Sequence, residues 1–159
     1  MSKVTPFLWF DGHVEEAVEF YTSVFGDSAV LEVTRYPEGS PGPAGGVMTA
    51  RLRLADQEVM ILNGGPHYQL TPAFSFFVSC EDQDEVDHFW GRLLEGGTPS
   101  QCGWLRDRFG LSWQIVPTAL MQLMGDPDPA RSGRVMEAML AMTKIEIAGL
   151  QAAADEVPG

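Results

Sequence analysis

Phe7-Leu-Trp-Phe10, followed by a helical stripe ending on Phe20-Tyr21, is echoed further along by Phe74-Ser-Phe-Phe-Val78 and a second stripe ending on Phe89-Trp90. One shift of 69 residues carries Phe20-Tyr21 onto Phe89-Trp90 and Phe7 onto Phe76. The recurrence predicts two copies of one strand-helix-strand unit, neither able to bury its apolar face alone, packed into one body around a shared cavity. A cavity of that origin is expected to hold a small molecule.

Outward from the first copy, residues 4–10 are apolar and β-prone, and Asp11-Gly12 breaks them before a helix whose apolar positions are Val14, Ala17, Val18, Tyr21, Val24 and Phe25. Three strands follow, Ala29 to Tyr36, Val47 to Leu54 and Glu58 to Leu62, which makes the first module β-α-β-β-β over residues 1–64. The segment from Pro37 to Gly46 is too rich in proline and glycine for a ladder or a helix, and reads as a plain surface loop or a lid. The second module, residues 72–117, repeats the order. It has a strand from Phe74 to Ser79, a helix with Val86, Phe89, Trp90, Leu93 and Leu94 on one face, short strands near Pro99 and Gly103, and a strong strand from Leu111 to Val116. Residues 118–159 turn helical: Ala119 to Met124, a helix opened by Asp128-Pro129 and carrying Val135, Met136, Met139 and Leu140, and a last helix from about Ile145 to Ala154. Five of the eight methionines lie between Met121 and Met142; these helices either cover one face of a sheet or form a subunit interface. The expected fold is α+β, one domain spanning 1–159 with paired βαβββ modules and a C-terminal helical extension.

Ten Lys and Arg stand against 22 Asp and Glu, a net charge of −12 that repels a phosphate backbone and argues against nucleic acid. Cys80 and Cys102 show neither metal spacing nor a disulfide framework, as expected of free thiols in the cytoplasm. No apolar run approaches the roughly 20 residues that span a bilayer, and no membrane partner is expected.

The chain resembles the vicinal oxygen chelate superfamily, the fold of glyoxalase I, extradiol dioxygenases and bleomycin-resistance proteins, and within it the PhnB-like branch. The residues that carry the likeness are Thr5 to Gly12, Glu16 to Tyr21, Phe74 to Val78, Asp84 to Trp90 and, above all, the string Cys102-Gly-Trp-Leu-Arg-Asp-Arg-Phe-Gly-Leu-Ser-Trp-Gln-Ile-Val-Pro117, with Asp126 to Pro129 beyond it. Similar proteins often carry the label 3-demethylubiquinone 3-methyltransferase. The first strand here ends in Asp11-Gly12-His13 without the glycine-rich loop that commonly cradles S-adenosylmethionine, so these residues give that label little support.

The resemblance implies a divalent cation held by four side chains, one from the first and one from the last strand of each module. The matching positions are Thr5 or Pro6, Asn63, Ala73 or Phe74, and Gln114, of which two at most are donors, both neutral. No metal ligand and no cofactor is therefore assigned, and a metal-dependent lyase, isomerase or dioxygenase is the alternative reading. The candidate ligand-binding residues are Trp9, Arg51, Arg53, Asn63, His67, Cys102, Trp104, Trp113 and Gln114. The tryptophans are either walls of the cavity or core. Arg51 and Arg53 alternate with Ala50, Leu52 and Leu54, so they either select an anionic ligand from the concave side of the sheet or are solvated on an outer strand. His67 sits in a loop that either reaches a ligand or faces solvent; His13 and His88 read as surface residues, Cys102 as a structural thiol ahead of a nucleophile, and Asp107-Arg108 as a turn. The function expected is binding of a small molecule, anionic or aromatic, by a homodimer.

Overall fold

The stripe expected from Val14 forms helix α1 (Val14–Val24) in the computed structural model, which describes residues 2–157. The helix buries Val14, Ala17, Phe20, Tyr21 and Val24, while Val18 is half-buried. Burying each large apolar side chain contributes roughly 1.5–3 kcal/mol. The chain divides into two compact units, Met1–Leu70 and Thr71–Gly159.

In the first unit, β1 (Phe7–Phe10), β2 (Ser28–Arg35), β3 (Val47–Leu54) and β4 (Gln57–Asn63) form one sheet in the order β1-β4-β3-β2. β1 runs parallel to β4 and the other pairs are antiparallel. Pleating sends alternate residues to opposite faces. Leu8, Phe10, Ala50, Leu52, Leu54, Val59 and Ile61 are all buried on the α1 side, which leaves the other face free of helix. The Pro37 to Gly46 segment is a closed hairpin loop, tied at its base by Tyr36 N–H to Gly46 O (2.9 Å) and Gly45 N–H to Tyr36 O (3.0 Å).

The second unit repeats the plan with β5 (Ser75–Cys80), α2 (Gln83–Leu94), β6 (Thr98–Pro99), β7 (Trp104–Arg106) and β8 (Ser112–Pro117), in the order β5-β8-β7-β6. Asp82 caps α2, its carboxylate accepting the Glu85 N–H at 2.9 Å. The helices repeat at 69 residues, Ala17, Tyr21 and Val24 answering Val86, Trp90 and Leu93, all buried. The strands do not. β1 ends at Phe10 and β5 at Cys80, 70 residues apart, because the turn Asp11-Gly12-His13 is one residue longer than Glu81-Asp82. Gly12 (φ 70°) and His13 (φ 57°) absorb the extra residue in left-handed conformations. A one-residue slip reverses facing. Phe7, 52 % exposed, therefore points away from α1, whereas Phe76 stacks on buried Trp113 with ring centroids 5.2 Å apart. The expected equivalence of Phe7 with Phe76 is corrected accordingly.

The helical extension is α3 (Thr118–Met124), α4 (Pro129–Leu140) and α5 (Ile147–Ala154), with Asp128 capping α4 as expected by accepting the Ala130 N–H at 3.0 Å. Leu120, Val135, Ile145, Leu150 and Ala154 gather around Val116 near the end of β8, with Met124, Met139 and Met142 packed against them. The methionines are thus in large part core, but they cover the end of one strand and leave Phe77, on the same face as Val116, 49 % exposed.

The Cys102 to Pro117 string is held by its own hydrogen bonds. The buried Asp107 carboxylate accepts the Phe109 N–H (2.8 Å) and the Leu111 N–H (3.1 Å) on one oxygen and the Trp113 indole N–H (2.9 Å) on the other. Gly103 (φ 84°) lies where a Cβ would come within 2.8 Å of both Ile115 O and the Ile145 side chain, so only glycine fits between β8 and the extension.

Two outcomes follow from this packing. Asp107→Ala strands three donors, two of them, the Leu111 N–H and the Trp113 indole N–H, in buried bonds, and urea denaturation should show a loss of about 3 kcal/mol; a loss under about 1 kcal/mol would refute the structural role. Cys80 is fully buried, and burial, helped by the charges of Glu85 and Asp82, pushes its thiol up to about 12. It should resist iodoacetamide at pH 8 in the folded protein and react on unfolding, as read by mass spectrometry.

Candidate functional site

The helix-free face of the first sheet carries two rows of side chains set by strand register. One row runs Phe7, Met60, Arg51, Glu32 and the next Trp9, Leu62, Thr49, Thr34. Cross-strand partners share a face, so burial of Ala50 and Leu52 under α1 puts Arg51 at the centre of this surface. Thr34 and Thr49 share a short hydroxyl hydrogen bond. Trp9 is fixed by its indole N–H to Gly65 O (2.8 Å), an edge-to-face contact with Tyr68 (5.0 Å) and Gly64, whose Cβ, if present, would fall 2.3 Å from the ring.

Arg51 and Arg53 differ in a way that alternation does not show. Arg53 is spent on Asp27 (Nη1 to Oδ1, 2.9 Å) and on the Ala55 carbonyl. Arg51 has only the Met60 sulfur, 3.8 Å from Nη2, while its Nε and Nη1 are buried without a hydrogen-bond partner. Arg131 Nε is likewise buried without a hydrogen bond, but there the charge is met by ion pairs with Asp126 at 2.9 Å and Asp155 at 3.1 Å, which Arg51 lacks among the described residues. Two carboxylates lie near Arg51: Glu32, its register partner on β2, with which it forms no ion pair among the described residues, and Glu58, whose carboxyl is held below the usual range first by the Ser2 N–H, with Arg51 assisting. Buried N–H groups of a cation ordinarily find acceptors, and leaving them bare is costly. Arg51 is thus a preformed pair of donors beside apolar Phe7, Met60 and Leu62.

The remaining candidates scatter. Asn63 pairs with Phe10 on the α1 side, and its side-chain oxygen accepts the Gly12 N–H at 3.0 Å, so it holds the turn. His67 is exposed beside Tyr68. Trp113 is core, 1 % exposed and bound to Asp107. Cys102, half-buried at φ 59°, is tied through its N–H to Met142 O (2.9 Å). Trp104 and Gln114 are register partners on the face of the second sheet away from α2, where the Gln114 amide donates to the Ser75 hydroxyl at 3.0 Å. Met60, Leu62 and Glu58 were missed, although the alternation of β4 against β3 contains the signal.

The donor set can be tested for a divalent ion. On the helix-free face of the first sheet the β1 and β4 pairs are Phe7 with Met60 and Trp9 with Leu62, none an oxygen or imidazole donor. Thr5 bonds Ser2 O and Pro6 contributes only its carbonyl, already accepting the Met60 N–H. In the second sheet the corresponding positions offer Ser75, Ser112 and Gln114, all neutral. Among the described residues no three His, Cys, Asp or Glu side chains come together. These residues do not fit a chelated divalent cation, which would shed its water shell for neutral oxygens alone.

The sequence pattern of the family described as 3-demethylubiquinone-9 3-methyltransferase matches residues 2–116. A solved structure described as a putative 3-demethylubiquinone-9 3-methyltransferase, PhnB protein, from Bacillus cereus is 36 % identical, covering 73 % of this chain and 99 % of that one, with a TM-score of 0.68. Protein PA1353 from Pseudomonas aeruginosa is 22 % identical over 74 % of this chain and 98 % of its own, TM-score 0.61. The fosfomycin resistance protein FosX from Mesorhizobium loti, 14 % identical over 71 % and 90 %, shares the fold with a TM-score of 0.52. No curated protein matches the chain. Family pattern, paired βαβββ modules and the PhnB likeness agree: the chain belongs to the PhnB-like, 3-demethylubiquinone-9 3-methyltransferase-labelled family of the vicinal oxygen chelate superfamily.

Proposed function

We propose that this protein binds a small organic anion on the helix-free face of its first sheet, without a chelated metal. The observation that carries the reading is Arg51, whose Nε and Nη1 donors are buried and unpaired. Arginine stays charged at any physiological pH, so it cannot relieve the cost of burial by losing a proton. A carboxylate or similar oxyanion meets one of these donors together with Nη2, on the Nε–Nη2 or the Nη1–Nη2 edge, replacing the weak Met60 sulfur contact, while Phe7, Trp9, Met60 and Leu62 take the apolar part of the ligand.

Methyl transfer is not part of the proposal. The turn after β1 spends the Gly12 N–H on Asn63, and the mixed sheet order β1-β4-β3-β2 is unlike the doubly wound parallel sheet that commonly holds S-adenosylmethionine.

The test is calorimetric titration of small aliphatic and aromatic carboxylates into the protein and two variants. Arg51→Met should weaken binding about 10- to 100-fold, the worth of hydrogen bonds to a charged group. Arg53→Met, which removes the partner of Asp27, should leave affinity nearly unchanged. Because an unpaired buried cation destabilises the free protein, ligand-free Arg51→Met should also be more stable, by about 1–3 kcal/mol. Equal affinity of Arg51→Met and the parent for every carboxylate would sink the reading.

A further inference from the structure

We infer that a second binding site, for a single-ring aromatic monocarboxylate, lies in a groove of the second unit. The groove has a volume of about 320 Å³ and is lined by Pro72, Thr98, Ser100, Trp104, Arg106 and Ser112, among others. Ligand sites span roughly 300–1,000 Å³, so this one admits a small ligand.

Register explains how the lining converges. Thr98 pairs with Arg106, Arg106 with Ser112 and Ser112 with Ser75, which sets four polar side chains in one row across the sheet. The neighbouring row is Trp104, Gln114 and Phe77. Trp104 and Arg106 are two residues apart on β7, a spacing of about 7 Å along a strand. That distance matches the length of a benzoate ion, which carries charge at one end and a ring at the other.

Two groups in the groove are polar and unspent. Ser112, only 2 % exposed as a residue, lines the groove, and no group among the described residues hydrogen-bonds its hydroxyl. Arg106 has no ion pair among the described residues, whereas Arg108 two residues on is paired with Glu95 at 3.5 Å. No acidic side chain lines the groove. One guanidinium balances one negative charge, and its planar fork matches a carboxylate better than a tetrahedral dianion. Trp104 supplies a face for the ring. Neither Arg106 nor Ser112 stands out in the sequence, because each is a single polar residue in a string that reads as structural.

The experiment is a titration of benzoate into the full chain, followed by backbone and indole amide spectra, with benzamide and inorganic phosphate as comparison probes. Benzoate should saturably shift the Trp104 indole and the Ser112 amide. Arg106→Gln should weaken it about tenfold or more and Ser112→Ala several-fold, with benzamide at least tenfold weaker than benzoate. Arg51→Met should leave these shifts intact, so failure here is distinguishable from failure at Arg51. Should Ser112→Ala fail to fold, exposed Arg106 and Thr98→Val carry the test. Absence of any shift at Trp104 and Ser112, unchanged affinity in Arg106→Gln, or phosphate binding more tightly than benzoate would each overturn the assignment.

Discussion

Burial of Ala50, Leu52 and Leu54 beneath α1 sets which side of β3 faces the helix, and the rest of the candidate site depends on that choice. Side chains alternate along a strand, so one buried trio commits Thr49, Arg51 and Arg53 to the opposite face. Neighbouring strands then have no freedom: Met60 and Leu62 on β4, Phe7 and Trp9 on β1, and Glu32 and Thr34 on β2 must join them. Hydrophobic burial thus places a charge. Arg51 arrives among apolar neighbours with two donors unmet, a local conflict of the kind that folded proteins retain where a ligand resolves it.

The second module uses the same plan with different reinforcement. Its β6 and β7 are only two and three residues long, too short to hold register by ladder bonds alone. Asp107 supplies what is missing by gathering the turn and the Trp113 indole on one carboxylate, and Gly103 lets the segment after α4 close against β7 and β8 through the Cys102 and Gly103 N–H bonds to Met142 and Thr143. The long string that makes the family recognisable is therefore mostly scaffold. Arg106 and Ser112 stand inside that scaffold, which gives them fixed positions without making them prominent.

Much of the fold was legible because amphipathic period and breaker residues agree. The α1 and α2 stripes, the Val47 to Leu54 strand and the Asp128-Pro129 helix start all formed where expected. The strand equivalence failed because one extra residue in Asp11-Gly12-His13 changes facing without changing composition. At the site, the facing of Arg51 was legible and its difference from Arg53 was not, since Asp27 reaches Arg53 across a strand pairing that no local pattern reveals. Trp113 and Asn63 looked like ligand contacts but are used by Asp107 and Gly12; polar partners contributed by turns are invisible to periodicity.

The account rests on Arg51 binding an oxyanion without help from a metal, and the Arg51 Nε–H resonance reports on this directly. With EDTA present, titration of small carboxylates should shift that resonance to saturation while Arg53, held by Asp27, stays in place. A resonance that ignores every carboxylate in EDTA and responds only once Zn²⁺ or Mg²⁺ is supplied would contradict the account and make the site a metal-dependent one.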